Sequence, residues 1–534
     1  MFGKQIVMNF FMNNSIDVIF HLPGIHTLPL NKSLIISNIN SFVGRHENNI
    51  TIMADGYART SGKIGVIIVT PGPGLGNTIS GCMEAFSSDI PLLIIHIDTG
   101  RDKIGKGILH ELAEPESMFT HITKKTYVIS KPIEIKHTFE QAYHMAVSGR
   151  KGPVLISMPY TFLEKDVPDE KLFKNNKIIN NETKEQKPVD YDISKLEEKL
   201  KDKKRPIIIG GKSLMFEDAR PIIEEICKGS SIPFLTTTSG KGIVNEHNPY
   251  SFGNIMQKGT VQEILSGADI ALAIGTRLRD VDTRRRGVNV KELIHIDIDD
   301  QWFDKNYPAS LKFPCDIEKI LIDLRNILQG RKFDWDIGYL KAKQLKEFKE
   351  LEEMSLGFTM IKQIRKSIPD DTTIVCDLNL PSYYAEYYLP IFLQNTLIMP
   401  RGISPIFYSM PAAIGAKIGR PDRPCLAICG DGGVLPAIGE LSTMVKYNVP
   451  IVILVHNNNG FGILEDVMND NYGIKGSMSL NNPDFCKLAK SFAIKSKRAK
   501  NLEDLNKVLI QDVKWDEPFL IEFNCPVFPP PWRL

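Results

Sequence analysis

The stretches IIVTPGPGLGN (67–77) and AICGDGGVLPA (427–437) are two versions of one pattern: an apolar run that ends in glycines and opens a helix. Each is followed by a second apolar run, DIPLLIIHI or NVPIVILVH. Nineteen positions separate Gly72 from Pro91, and nineteen separate Asp431 from Pro450. Continuous apolar runs that alternate with helices read as buried parallel strands covered on both faces. The repeat therefore predicts two related α/β units in one chain. A third unit lies between them, with runs at Pro206–Ile209, Asp269–Ile274 and Leu293–Asp297. The expected fold class is α/β, with three doubly wound parallel-sheet domains at 1–168, 191–335 and 354–534. A polar linker is expected near 169–190, and a charged helix near 336–353.

The length of 534 residues suits about three domains. A net charge of +2 offers no polyanion-binding face, so no nucleic-acid partner is expected. None of the eight cysteines forms a CxxC pair, which points to reduced thiols in a cytoplasmic protein. The opening MFGKQIVMNFFMNN is too polar for a signal peptide and is expected to lead straight into the first strand. No run approaches 18 apolar residues, so no membrane span is expected.

Why does one copy of the repeat carry an aspartate? Val434, Ile438, Leu441 and Val445 form one apolar face, which predicts a helix over 434–447. GDGG then sits at a helix N-terminus, where free N–H groups favour a phosphate and the glycines admit it closely. A carboxylate there repels phosphate unless a cation such as Mg²⁺ lies between them. The next run ends in His456-Asn457-Asn458-Asn459-Gly460. In a parallel sheet with right-handed crossovers both strand ends lie on one edge, so Asn458 can reach the same cation. The first copy, Gly72-Pro73-Gly74-Leu75-Gly76, has GxGxG spacing where a dinucleotide loop has GxGxxG. That weakens an oxidoreductase reading in which Asp297 and Asp299 would bind ribose.

GDG followed about 25 residues later by NN resembles the cofactor motif of thiamin diphosphate enzymes. RHENNITIMADGYARTSGK (45–63), TPGPGLGN (70–77) and MPAAIGAKIG (410–419) resemble, more narrowly, the acetolactate synthase-like decarboxylases and carboligases. The match runs along nearly the whole chain. FHLPGIHTLPL (20–30), GKGILHEL (105–112), HIDIDDQWFDKNYPA (295–309) and NNPDF (481–485) resemble the 5-guanidino-2-oxopentanoate (2-ketoarginine) decarboxylases.

The resemblance implies a pyrimidine-binding, a central and a diphosphate-binding domain. It implies thiamin diphosphate and Mg²⁺, with Asp431, Asn458 and the carbonyl of Gly460 as metal ligands. Thr70, Gly72, Asn379, Gly402, Gly430, Gly432, Gly433 and Phe461 are implied at the cofactor, and Ile406 as the bulky residue that bends it. Glu47 is implied as the acid–base partner of the aminopyrimidine. It lies one turn ahead of the stripe Ile50, Met53, Ala54, Tyr57 and Ala58, which Gly62 ends. A second acid–base group is needed, and His26 and His110 are the candidates.

The expected substrate is a small 2-oxo acid, and the expected activity is non-oxidative decarboxylation, with carboligation as a further outcome. The alternative is an acetolactate synthase catalytic subunit, and a remoter one is a non-catalytic cofactor-binding relative. GFGILEDVMNDNYG (460–473) lacks the tryptophan of acetolactate synthases, and Gly210-Gly211-Lys212 lacks the third glycine of flavin-binding relatives, which argues against FAD. SPIFYSMP (404–411) has Phe407 and Ser409 where relatives carry glycine, which implies a tight pyrimidine pocket. The resemblance also implies a homodimer or homotetramer with active sites at subunit interfaces.

Overall fold

The computed structural model describes residues 1–100, 104–167, 191–215, 219–283, 287–476 and 478–534. The expected linker near 169–190 lies outside the described residues. The chain forms three six-stranded sheets in which every pairing is parallel.

The first sheet runs in the spatial order Asn40–Val43, Val18–His21, Gly65–Val69, Leu92–Asp98, Val154–Pro159, Lys125–Val128. The third runs Leu397–Ile398, Thr373–Cys376, Cys425–Gly430, Val452–Asn457, Phe519–Asn524, Lys495–Ala499. Numbered along the chain within each sheet, both follow 2-1-3-4-6-5. The repeat seen in two short segments is thus a repeat of whole topology. The middle sheet follows 6-5-4-1-2-3, the doubly wound order of dinucleotide-binding folds. Strands such as Gly65–Val69, Leu92–Asp98 and Ile270–Ile274 are buried at every position, as their unbroken apolar sequences require.

Two local expectations need correction. The N-terminal stretch does not lead directly into a strand. It forms the helix Gly3–Asn13, because Val7, Phe10 and Phe11 share one buried face. The single helix expected over 434–447 is three helical pieces: Asp431–Val434, a 3₁₀ stretch Leu435–Glu440, and Leu441–Lys446. Pro436 has no N–H to donate and crowds the preceding turn, which breaks the α-helical ladder there.

The first and third domains pack through the helices Glu47–Ser61 and Ser409–Gly419. A Cβ on Gly56 would come within 2.9 Å of the Ala412 Cα, and one on Gly415 within 2.6 Å of the Met53 carbonyl carbon. Glycine at both positions lets the backbones approach. Thr60 also donates its hydroxyl to Ala416 O over 3.1 Å.

Candidate functional site

Two groups of residues gather at the carboxyl ends of the outer sheets, where open α/β sheets bind ligands. The first is built around Glu47. His46 caps the helix Glu47–Ser61, its Nδ1 accepting from Asn48 N at 3.1 Å, so Glu47 is the first helical residue. Gly62 ends the helix at φ +73°, as expected. Glu47 is half-buried, and its Oε2 accepts from Asn77 Nδ2 at 2.9 Å.

The turn after Gly65–Val69 brings Thr70, Gly72 and Gly74 to the same place. Gly72 has φ +65° and ψ −117°, and a Cβ there would meet His110 Cβ at 3.1 Å. A Cβ on Gly74 would lie 3.7 Å from Glu47 Oε1, and one on Gly24 would lie 2.5 Å from Thr70 Cγ2. The rings of His26 and His110 meet edge to face at 6.0 Å, and His26 meets Tyr160 at 5.2 Å. Glu47, Thr70, Gly72, His26 and His110 are therefore one cluster assembled from four strand ends. His110 itself takes φ +70°, in a loop whose N–H groups at Gly105 and Ile108 are gathered by the Glu111 carboxylate. Behind the cluster His96 is fully buried, bonded through Nδ1 to Ser157 Oγ at 3.0 Å; burial pulls its pKa down to about 3.

The second group surrounds Asp431. The register pairs Gly430 with His456, so the two motifs leave adjacent strands side by side. Asp431 is buried, and desolvation raises its pKa. Its Oδ2 accepts from Gly460 N at 2.9 Å and from Asn482 Nδ2 at 2.7 Å. Asn482 also donates to Asn457 Oδ1 at 3.2 Å. A Cβ on Gly432 would strike the Phe461 ring at 2.6 Å, and one on Gly433 would meet Ile406 O at 2.8 Å. Asn379 stands beside Gly430, but its side chain is engaged in the chain, donating to Ile428 O and capping the helix Leu380–Tyr388. The Ile406 side chain is exposed. Asp377 lies next to Gly433 and is raised to about 7 by burial.

Do these residues fit a cation and a diphosphate? The Oδ1 atoms of Asn458 and Asn482 are shielded from solvent and have no hydrogen-bond donor. A buried amide oxygen without a donor is costly, and a hard divalent cation satisfies it. Asn458 Oδ1 and the Asp431 carboxylate are oxygen donors of the kind Mg²⁺ takes. Glycine at 432 and 433 leaves room for the Phe461 ring and Ile406 O, so a phosphate would be met by the backbone N–H groups that open the helix at Asp431. The residues fit both groups.

Sequence reasoning missed Asn482, Asn77 and Tyr160. NNPDF signalled only a subfamily, and GPGLGN gave no reason to prefer its last residue. Within one chain no hydrogen bond joins Glu47 to Asp431 among the described residues.

Family models match three segments: "Thiamine pyrophosphate enzyme, N-terminal TPP binding domain" at 1–118, the central domain at 193–324, and the "C-terminal TPP binding domain" at 380–523. The chain is 29% identical to a probable acetolactate synthase large subunit of Methanococcus aeolicus, over 98% of this chain and 91% of that one. It is 29% identical to a probable 2-ketoarginine decarboxylase of Pseudomonas aeruginosa, over 95% and 90%. It is 28% identical to an acetolactate synthase large subunit of Lactococcus lactis, over 97% and 92%.

Proposed function

The chain belongs to the acetolactate synthase-like thiamine pyrophosphate enzymes, and from that premise we propose that it is a Mg²⁺-dependent, non-oxidative 2-oxo acid decarboxylase. The observation that carries this reading is the pair His26 and His110, 6.0 Å apart beside Gly72 and Glu47. Decarboxylation to an aldehyde needs a proton delivered after CO₂ leaves, and two imidazoles at the site can deliver it. Bound thiamin diphosphate supplies the electron sink for CO₂ loss.

The chain's own residues do the rest. Glu47, held by Asn77, would serve as the acid–base group toward the aminopyrimidine. Asp431, Asn458 and the Gly460 carbonyl would hold Mg²⁺, and the backbone N–H groups at Gly432 and Gly433 would meet the diphosphate. A second copy completes the site. Support comes from exposed apolar residues around each half: Ile25, Leu28 and Leu109 near the histidines, and Ile403, Ile406, Leu464 and Val467 near Asp431. Burying such patches is the usual driving force of subunit association. Arg277 of the central domain and Arg150 of the first domain both pair with Asp89 of the first domain, at 2.9 and 2.5 Å. Eight free cysteines, and no helix among the described residues long and apolar enough to cross a membrane, accord with a cytoplasmic place.

The second reading, acetolactate synthesis, is favoured by the names of several relatives. Assay with thiamin diphosphate, Mg²⁺ and a panel of 2-oxo acids that includes pyruvate and the guanidino acid separates the two. CO₂ release matched by aldehyde is expected. Rapid acetolactate formation from pyruvate without aldehyde would overturn the decarboxylase reading.

A further inference from the structure

Glu84, in the helix Ile79–Ser87 of the first domain, is completely buried, yet its carboxylate is spent on another domain. It accepts three successive backbone N–H groups of the third domain. Gly402 N lies 3.0 and 3.2 Å from its two oxygens, Ile403 N lies 2.8 Å from Oε2, and Ser404 N 3.0 Å from the same atom. Ser404 takes φ +61°, a left-handed conformation that a residue with a side chain adopts only under constraint. Two residues on is Ile406, whose carbonyl oxygen packs against Gly433.

The contact is close as well as charged. A Cβ on Gly402 would come within 2.9 Å of Glu84 Oε2 and 2.7 Å of Glu84 O. Ser88 Oγ donates to Glu84 at 2.7 Å, and Arg59 Nη2 at 3.4 Å. Arg59 is shared with Asp55, at 2.7 Å, and Tyr408 donates to Asp55 in turn. Two buried carboxylates thus share one guanidinium, and the backbone N–H dipoles offset the remaining charge. A buried anion is an expensive way to join two domains, because apolar packing would serve. Three consecutive N–H groups converging on one carboxylate do something packing cannot: they fix the dihedral angles of the turn that presents them.

We infer that Glu84 is a positioning residue for the cofactor. It holds the Gly402–Ser404 turn in its constrained form and so sets where Gly402 and Ile406 stand against bound thiamin diphosphate. This rests on the proposed reading that Gly402 and Ile406 face that cofactor.

The test uses the full-length protein with Glu84→Gln and, independently, Gly402→Ala. The first removes the charge; the second wedges the same contact from the turn and leaves the Arg59 pairs in place. Thiamin diphosphate binding is read by quenching of intrinsic fluorescence at fixed Mg²⁺, alongside the KM for cofactor, the KM for 2-oxo acid and the Tm. Each variant is expected to bind cofactor about tenfold more weakly, with the 2-oxo acid KM within about twofold of wild type. Wild-type cofactor affinity in both variants, with or without a lower Tm, would overturn the inference and leave the cofactor reading intact. If Glu84→Gln does not fold, Glu84→Asp, which keeps the charge but shortens its reach to the Gly402–Ser404 N–H groups, decides in its place. If the wild-type chain itself does not bind thiamin diphosphate, the cofactor reading falls and this inference with it.

Discussion

Asn482 Nδ2 donates to Asp431 Oδ2 over 2.7 Å, and the other end of the same amide, Oδ1, is buried without a donor. One side chain therefore orients the carboxylate and also carries a buried oxygen that no donor satisfies. Asn482→Ala removes both effects. The expected result is about a tenfold weaker affinity for thiamin diphosphate at limiting Mg²⁺, the size of one lost hydrogen bond to a charged group, with partial recovery as Mg²⁺ is raised. A titration of cofactor at several Mg²⁺ concentrations checks it; an unchanged midpoint throughout would remove Asn482 from the site.

Among the described residues the Glu47 carboxylate has one side-chain hydrogen-bond partner, Asn77. Glu47→Gln keeps the shape and that contact but cannot exchange the proton. Cofactor affinity is expected to stay near wild type while kcat falls by about a hundredfold or more. Equal turnover in a steady-state assay would end the acid–base assignment.

Gly72 lies at φ +65° against His110. Gly72→Ala strains the turn and displaces the histidine. A loss of about 1–3 kcal/mol in the unfolding free energy from denaturant melts is expected, with a lower kcat. A variant as stable and as active as wild type would show that neither the dihedral nor the contact matters.

Burial lowers the His96 pKa from its ordinary 6.5 to about 3. The unfolded chain then binds the proton more readily between those values, so stability falls as pH drops below 6.5, by up to about 1.4 kcal/mol per pH unit, and levels off near pH 3. Asp297 and Asp377, each raised to about 7, act with the opposite sign over the range above their ordinary 3.8. The His96 share is isolated by comparison with His96→Gln, whose stability is expected to depend less steeply on pH between 6 and 4. Parallel curves from urea melts would contradict the burial argument.

If two copies complete each site, specific activity depends on concentration. Dilution through the dissociation range is expected to lower it, and mixing Glu47→Gln with Asp431→Ala subunits to restore part of it. Full activity in a species that sedimentation shows to be monomeric would sink the shared-site reading.

Much of this was legible in the sequence. Unbroken runs such as Leu92–Asp98 declare strands buried on both faces, and the repeat around Gly72 and Asp431 declares two related sheets whose order proves identical. Glu47, at the head of a helical stripe, and Asp431, opening a helix after a strand, are each placed by local periodicity. Local pattern failed where a single residue outweighed it, as Pro436 does in splitting one expected helix.

The sequence by itself determined most of the elements and their order, because periodicity and turn residues act over a few positions of chain, while the thiamin diphosphate reading came from the resemblance of its motifs to a known family. Only the tertiary structure decided which distant residues meet. The gathering of His26, Gly72 and His110, the reach of Asn482 to Asp431, and the clasp of Glu84 on Gly402–Ser404 join segments dozens to hundreds of residues apart. Such contacts follow from how strand ends and helix faces pack in three dimensions, and no local spacing along the chain encodes that.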